Sequence, residues 1–104
     1  MAQFDVYRNP NLDTCTVIPY LLDVQADLLD MLATRVVVPL VLATEMGAAA
    51  KVLNPQFTVN GTVVAMSTAE LAGIAQRALG DKVTSLQSQR AEIIAALDLL
   101  FTGI

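Results

Sequence analysis

Apolar and polar positions alternate at the start of the chain, where Phe4 and Val6 sit among Gln3, Asp5 and Tyr7. That period of two predicts a strand ending at Arg8, and Asn9-Pro10-Asn11 breaks it. Residues 16–24 are rich in β-branched and aromatic side chains and predict a second strand, in which Pro19 removes one ladder donor and marks an edge or a bulge. Arg35-Val36-Val37-Val38, followed by Pro39 and Leu40, is the strongest β signal in the chain. A run this apolar predicts a strand buried on both faces. Between these strands Gln25-Ala26-Asp27-Leu28-Leu29-Asp30 sets two adjacent leucines among acids, so one of the leucines is expected at the surface.

Phe57-Thr58-Val59, Asn60-Gly61 and Thr62-Val63-Val64 predict a hairpin, because Asn-Gly supplies the positive φ angles of a type I′ turn. Residues 69–79 favour a helix by propensity, although Gly73 sits in their middle. The last segment predicts a helix on stronger grounds: Thr84 followed by Gln87 fits a capping box, Ala91, Ala95 and Ala96 favour helix, and Gly103 stands where a helix stops. At about 100° per residue, Ile93, Ile94, Leu97, Leu100 and Phe101 gather on one side as the expected core face. Ala95, Asp98 and Thr102 share an outward stripe with Leu99 beside it, and the chain ends in an apolar Ile104 suited to a partner's pocket.

Composition narrows the chemistry. The 104 residues are 55% hydrophobic and 15% charged, against about 45–50% and about 25% in ordinary domains. The excess apolar surface points to an interface with another copy or a partner, since no stretch approaches the roughly 18 apolar residues of a membrane span and no basic flank precedes an apolar leader. Ten acids outnumber six bases, and Arg8, Arg35, Lys51, Arg77, Lys82 and Arg90 are scattered, so nothing grips nucleic acid by counterion release. Without histidine, and with the single Cys15, the chain builds no Ser-His-Asp or Cys-His pair, no zinc site and no intrachain disulfide. The expected compartment is a reducing cytoplasm. Asp23, Asp27 and Asp30 read as solvated loop acids rather than a hard-cation site, Cys15 as a small apolar filler, and the Tyr7 hydroxyl as the cap of a buried position. No metal, cofactor or catalytic residue is expected.

Several blocks together carry a resemblance: Gln3-Phe4 with Tyr7, Leu22-Asp23-Val24-Gln25-Ala26-Asp27-Leu28-Leu29-Asp30, Arg35-Val36-Val37-Val38-Pro39-Leu40, and the terminal Gly103-Ile104. In this order, over essentially the whole chain, they resemble the CcdB toxin family, whose members poison bacterial DNA gyrase and are neutralised by CcdA antitoxins. The resemblance implies one CcdB-like domain over residues 1–104, of α+β class. Its expected architecture is an SH3-like β-barrel of the CcdB/MazF type with a C-terminal α-helix, assembled as a homodimer. In that fold residues 74–79 are a strand, and tertiary context is expected to override the helix propensity there.

It also implies a non-enzymatic toxin that binds the A subunit of DNA gyrase, traps the cleaved-DNA complex and is removed by a CcdA-like antitoxin, through which any operator binding would occur. Carried over one position at a time, the gyrase contacts fall on Phe4, on Ala26, Leu28 and Leu29 in the loop, on Ala95 and Asp98 along the helix, and on Thr102, Gly103 and Ile104 at its end. Leu28, Leu29 and Ile104 would supply apolar contact, while Asp98 and the terminal carboxylate would face gyrase arginines. The chain departs from a well-known member at Thr102, Ala26 and Asp98, where that member has tryptophan, serine and asparagine. Losing a tryptophan hot spot costs on the order of 2 kcal/mol, roughly thirtyfold in affinity. Two alternatives stand beside this reading: a folded relic that binds antitoxin without poisoning gyrase, and an endoribonuclease toxin of the MazF type on the same barrel.

Overall fold

A computed structural model describes residues 1–103. The first strand, β1 (Asp5–Arg8), starts after Phe4, whose φ of 72° lies outside the strand region. A bulky residue rarely adopts a left-handed conformation, and here the surroundings hold it. The Phe4 ring is fully buried, its N–H donates to the Asp23 carbonyl at 2.6 Å, and its carbonyl accepts from the Leu86 N–H at 2.8 Å.

β2 (Tyr20–Asp23) is shorter than the β-prone run suggests. Residues 14–18 turn instead, with the Ile18 N–H donating to the Thr14 carbonyl at 2.8 Å, and the strand begins directly after Pro19. β3 (Thr34–Leu42) runs through the predicted apolar block and beyond it, with Arg35, Val37, Val38, Leu40 and Val41 buried. β3 pairs with β2 along one edge, Tyr20 opposite Leu40 through Asp23 opposite Val37. On its other edge β3 changes partner, from β6 (Ala72–Ala75) at Thr34 to Val37 to β5 (Thr62–Met66) at Leu40 to Leu42. Pro39 sits at that change, so its missing N–H leaves no ladder bond unmade, and its carbonyl accepts from the Ser67 N–H at 2.9 Å.

The hairpin forms as expected: β4 (Gln56–Val59) pairs with β5 across Asn60 and Gly61 at φ 49° and 79°. Residues 69–79 are not a helix. Gly73 weakens that alternative, and the exposed edge of β3 offers backbone donors and acceptors that β6 satisfies in antiparallel register. The strand that the family resemblance placed at 74–79 is thereby corrected to Ala72–Ala75, followed by a 3₁₀ turn over Gln76–Ala78. The capping box is also corrected. Thr84 lies within β7 (Lys82–Ser85), opposite Val6, and the helix α1 (Arg90–Thr102) starts six residues after it with no side-chain cap. Its C-terminus follows expectation, with Gly103 at φ 73° donating its N–H to the Leu99 carbonyl at 2.9 Å.

Among the described residues seven antiparallel strands run β4-β5-β3-β2-β1-β7 with β6 beside β3, a sheet that curls into a half-barrel. Phe4, Val6, Leu22, Val38, Leu40, Phe57, Val59, Val64, Met66 and Leu86 fill its concave side, and α1 closes that side with Ile93 and Ala96. Sheet and helix thus bury one shared apolar face, the usual solution for an α+β domain. None of the described helices is long and apolar enough to cross a membrane.

Candidate partner-binding site

The segment from Gln25 to Asp30 leaves the sheet between β2 and β3 and makes one 3₁₀ turn at Asp27–Leu29. Hydrogen bonds hold it at four of its residues, Gln25, Asp27, Leu29 and Asp30. The Asp23 carboxylate accepts the Gln25 N–H at 3.0 Å, and the Gln25 amide spans outward, donating to the Leu29 carbonyl at 2.9 Å while accepting from the Val36 N–H at 3.0 Å. Asp27 accepts the Gln3 N–H at 2.7 Å, and Asp30 meets the Arg35 guanidinium at 3.3 Å. Above these ties the side chains of Leu28 and Leu29 are exposed by 83% and 45%. The sequence expected one exposed leucine, and the turn exposes both.

Beneath the loop lies an ion pair that the sequence reading missed. Arg35 and Asp23 both have fully buried side chains, with Nε and Nη2 of Arg35 at 2.9 and 2.6 Å from one oxygen of Asp23. Nε makes the aligned hydrogen bond, whereas the Nη2 hydrogens point off the acceptor and find no other partner among the described residues. Asp23 is therefore not a solvated loop acid. Burial pushes its carboxyl above the usual carboxylate range in spite of the guanidinium and the Gln25 N–H. Nearby, Asp5 is buried and meets Lys82 at 3.4 Å and the Tyr7 hydroxyl at 3.4 Å. Burial, then the charges of Asp5 and Asp23 and the hydrogen bond to Asp5, push the Tyr7 phenol up to about 12. The signal that could have revealed this cluster is the alternation itself, since Asp5 between Phe4 and Val6 and Asp23 between Leu22 and Val24 each stand between two apolar neighbours.

Along α1 the outward stripe is where helical spacing put it, with Ala95, Asp98 and Thr102 exposed. The Thr102 hydroxyl donates back to the Asp98 carbonyl at 2.6 Å, which leaves its methyl for contact. Gly103 is exposed, and Ile104 lies outside the described residues. Phe101 departs from the expected core face: it is 69% exposed. It stands about 80° around the helix from the fully buried Ile93, on the shoulder of the apolar arc rather than at its centre.

Loop and helix end share a groove of about 320 Å³, with Ala26 and Leu29 on one wall, Leu97 and Phe101 on the other, and Val36 and Leu71 among its lining. Met31 and Leu32, also exposed, extend the apolar surface. Ala95 faces a second, smaller groove of about 240 Å³ beside Lys51, Val52, Pro55 and Glu92. Phe4 belongs to neither, since it is sealed in the core with the Arg90 guanidinium 5.9 Å from its ring centroid.

The family model described as CcdB protein matches residues 3–103. The chain belongs to the CcdB family. Family membership makes it a toxin of a toxin–antitoxin system, from a family of gyrase poisons rather than catalysts. A comparison with curated proteins finds no match. The four tied points of the loop and the exposed leucines above them fall within the matched span, as do Thr102 and Gly103. Among the described residues of this CcdB-family chain, no three His, Cys, Asp or Glu side chains converge as a metal site, and Asp23, Asp27 and Asp30 each point to a protein partner.

Proposed function

We propose that this CcdB-family toxin binds the A subunit of DNA gyrase as a homodimer of small SH3-like barrels and stabilises the cleaved-DNA complex until a CcdA-like antitoxin removes it. The observation that carries the reading is the loop that holds Leu28 and Leu29 out in water beside an exposed Phe101 at the helix end. A folded domain seldom fixes two leucines and a phenylalanine at its surface unless a partner covers them. Leu28, Leu29 and Phe101 would be the apolar centre, with Ala26, Ala95, Asp98, Thr102, Gly103 and Ile104 around it and Phe4 holding the platform from beneath.

No bond is made or broken by the toxin in this mechanism. A ligand that binds the cleaved state of the topoisomerase more tightly than the resealed state shifts that equilibrium by its differential affinity, and a rigid apolar wedge meets this requirement. A two-fold dimer presents the patch twice, which suits a target with paired A subunits. The free edge of β6, which pairs only with β3 among the described strands, is a natural place for self-association.

The test uses purified toxin, gyrase and supercoiled plasmid, quenched with detergent and protease. Linear plasmid should accumulate with toxin concentration while RNA stays intact. Gyrase-independent RNA degradation would replace this reading with an endoribonuclease, and binding of antitoxin with no linear plasmid would replace it with a relic.

A further inference from the structure

We propose that Gln25, a residue with little surface to offer a partner, is a positioning residue for partner binding, because its side-chain amide locks the Leu28–Leu29 turn in its binding shape. The inference rests on the gyrase reading above for its partner but on the free structure for its cause. Gln25 is 6% exposed, and its two amide bonds link strand β3, through the Val36 N–H, to the end of the turn, through the Leu29 carbonyl. Among the described residues no other side chain bonds both the sheet and that turn's backbone. Its own N–H is fixed in turn by Asp23, which Arg35 holds in place.

The loop has reason to move without this clasp. Val24, Leu32, Val36, Leu71 and Leu97 form an apolar groove directly beside it that Leu29 already lines, and an untied turn could fold Leu28 into that groove and drive Leu29 deeper. The amide keeps Leu28 out and Leu29 at the rim. Ordering cost that a floppy loop would incur on binding is then already met in the free toxin.

Two measurements test this. In the free protein, backbone order parameters for residues 26–30 should be near 0.85, roughly the value for rigid backbone, and should fall towards about 0.6 in Gln25→Met. Unchanged order would overturn the proposal whatever gyrase does. Calorimetric titration with the gyrase A subunit then compares wild type, Gln25→Met and the Leu28→Ala/Leu29→Ala pair, alone and combined, after denaturation curves establish that each is folded. Gln25→Met should weaken binding on the order of tenfold with the leucines present and less than about twofold without them, since its effect passes through them. Equal losses in both backgrounds would mean general structural damage and overturn the inference. If the leucine pair binds as wild type, the gyrase surface itself is wrong. If the pair weakens binding and Gln25→Met does not, only the role of Gln25 falls. Gln25→Glu, which keeps the acceptor for Val36 but turns a carboxylate on the Leu29 carbonyl, gives the same decision should the methionine variant not fold.

Discussion

Replacing Arg35 with methionine should cost about 3–5 kcal/mol of folding stability at neutral pH, because removing one partner of a buried ion pair leaves the other charge without compensation. The size follows from the surroundings. Arg35 and Asp23 have no exposed side-chain surface, Asp23 retains only the Gln25 N–H as a donor, and the lost contact to the 58% exposed Asp30 adds under about 1 kcal/mol. A domain of this class has roughly 5–15 kcal/mol in total, so the change is large. Protonating Asp23 relieves the orphaned charge. Its carboxyl is already raised in the native fold, and without Arg35 it rises further, so the folded variant takes up a proton that the unfolded chain at the same pH does not. The cost of Arg35→Met should therefore shrink as pH falls from 7 towards 5. The double variant Arg35→Met/Asp23→Leu, with neither charge, should return to within about 1–2 kcal/mol of wild type. Urea denaturation followed by far-UV circular dichroism, at one protein concentration and several pH values, measures all three. A cost below about 1 kcal/mol, or one independent of pH, would refute the reasoning.

Other positions give simpler expectations. Tyr7, pushed up to about 12, keeps its phenol neutral in the fold where the unfolded chain ionises near 10, so stability should decline as pH rises from 10 to 12. Tyr7→Phe should abolish that slope in pH-dependent denaturation, and a slope equal to wild type would assign it to another group. Gly80→Ala would place a Cβ 2.6 Å from the Arg8 carbonyl oxygen, and β1 should shift or detach from β7 at a cost of about 1–3 kcal/mol, read as a lower melting midpoint. Gly61→Ala meets open space but keeps φ at 79°, so only backbone strain of about 1–2 kcal/mol is expected, and a neutral result would mean the turn can change type. Asp98→Asn should weaken gyrase binding if Asp98 faces a cationic group, and unchanged affinity in a binding titration would remove that pairing.

Local chemistry decided which elements the sequence disclosed. Asn60-Gly61 is a turn whatever surrounds it, Gly103 ends a helix by its own freedom at positive φ, and three stacked valines between a buried arginine and a proline leave little choice but a central strand. Where a distant edge decided, the sequence misled. Residues 69–79 look helical in isolation and pair with β3 because its edge needs a partner, while Thr84 has a cap's spacing and a strand's position. The site was legible in the same uneven way. The leucines and the Ala95, Asp98 and Thr102 stripe stood out from local pattern, whereas the clasp from Gln25, Asp23 and Arg35 depends on strands that meet only in the fold. Phe101 was misread because a helix of 13 residues has shoulders as well as faces, and neither side of the wheel settles a residue between them.

Amide hydrogen exchange of the toxin, free and saturated with the A subunit of gyrase, tests most directly whether the loop and helix end form the contact surface. Protection should appear at residues 26–32 and along the exposed side of residues 95–103, with the β4–β5 hairpin exchanging as before. Protection centred on that hairpin, or none anywhere with gyrase in excess, would contradict it.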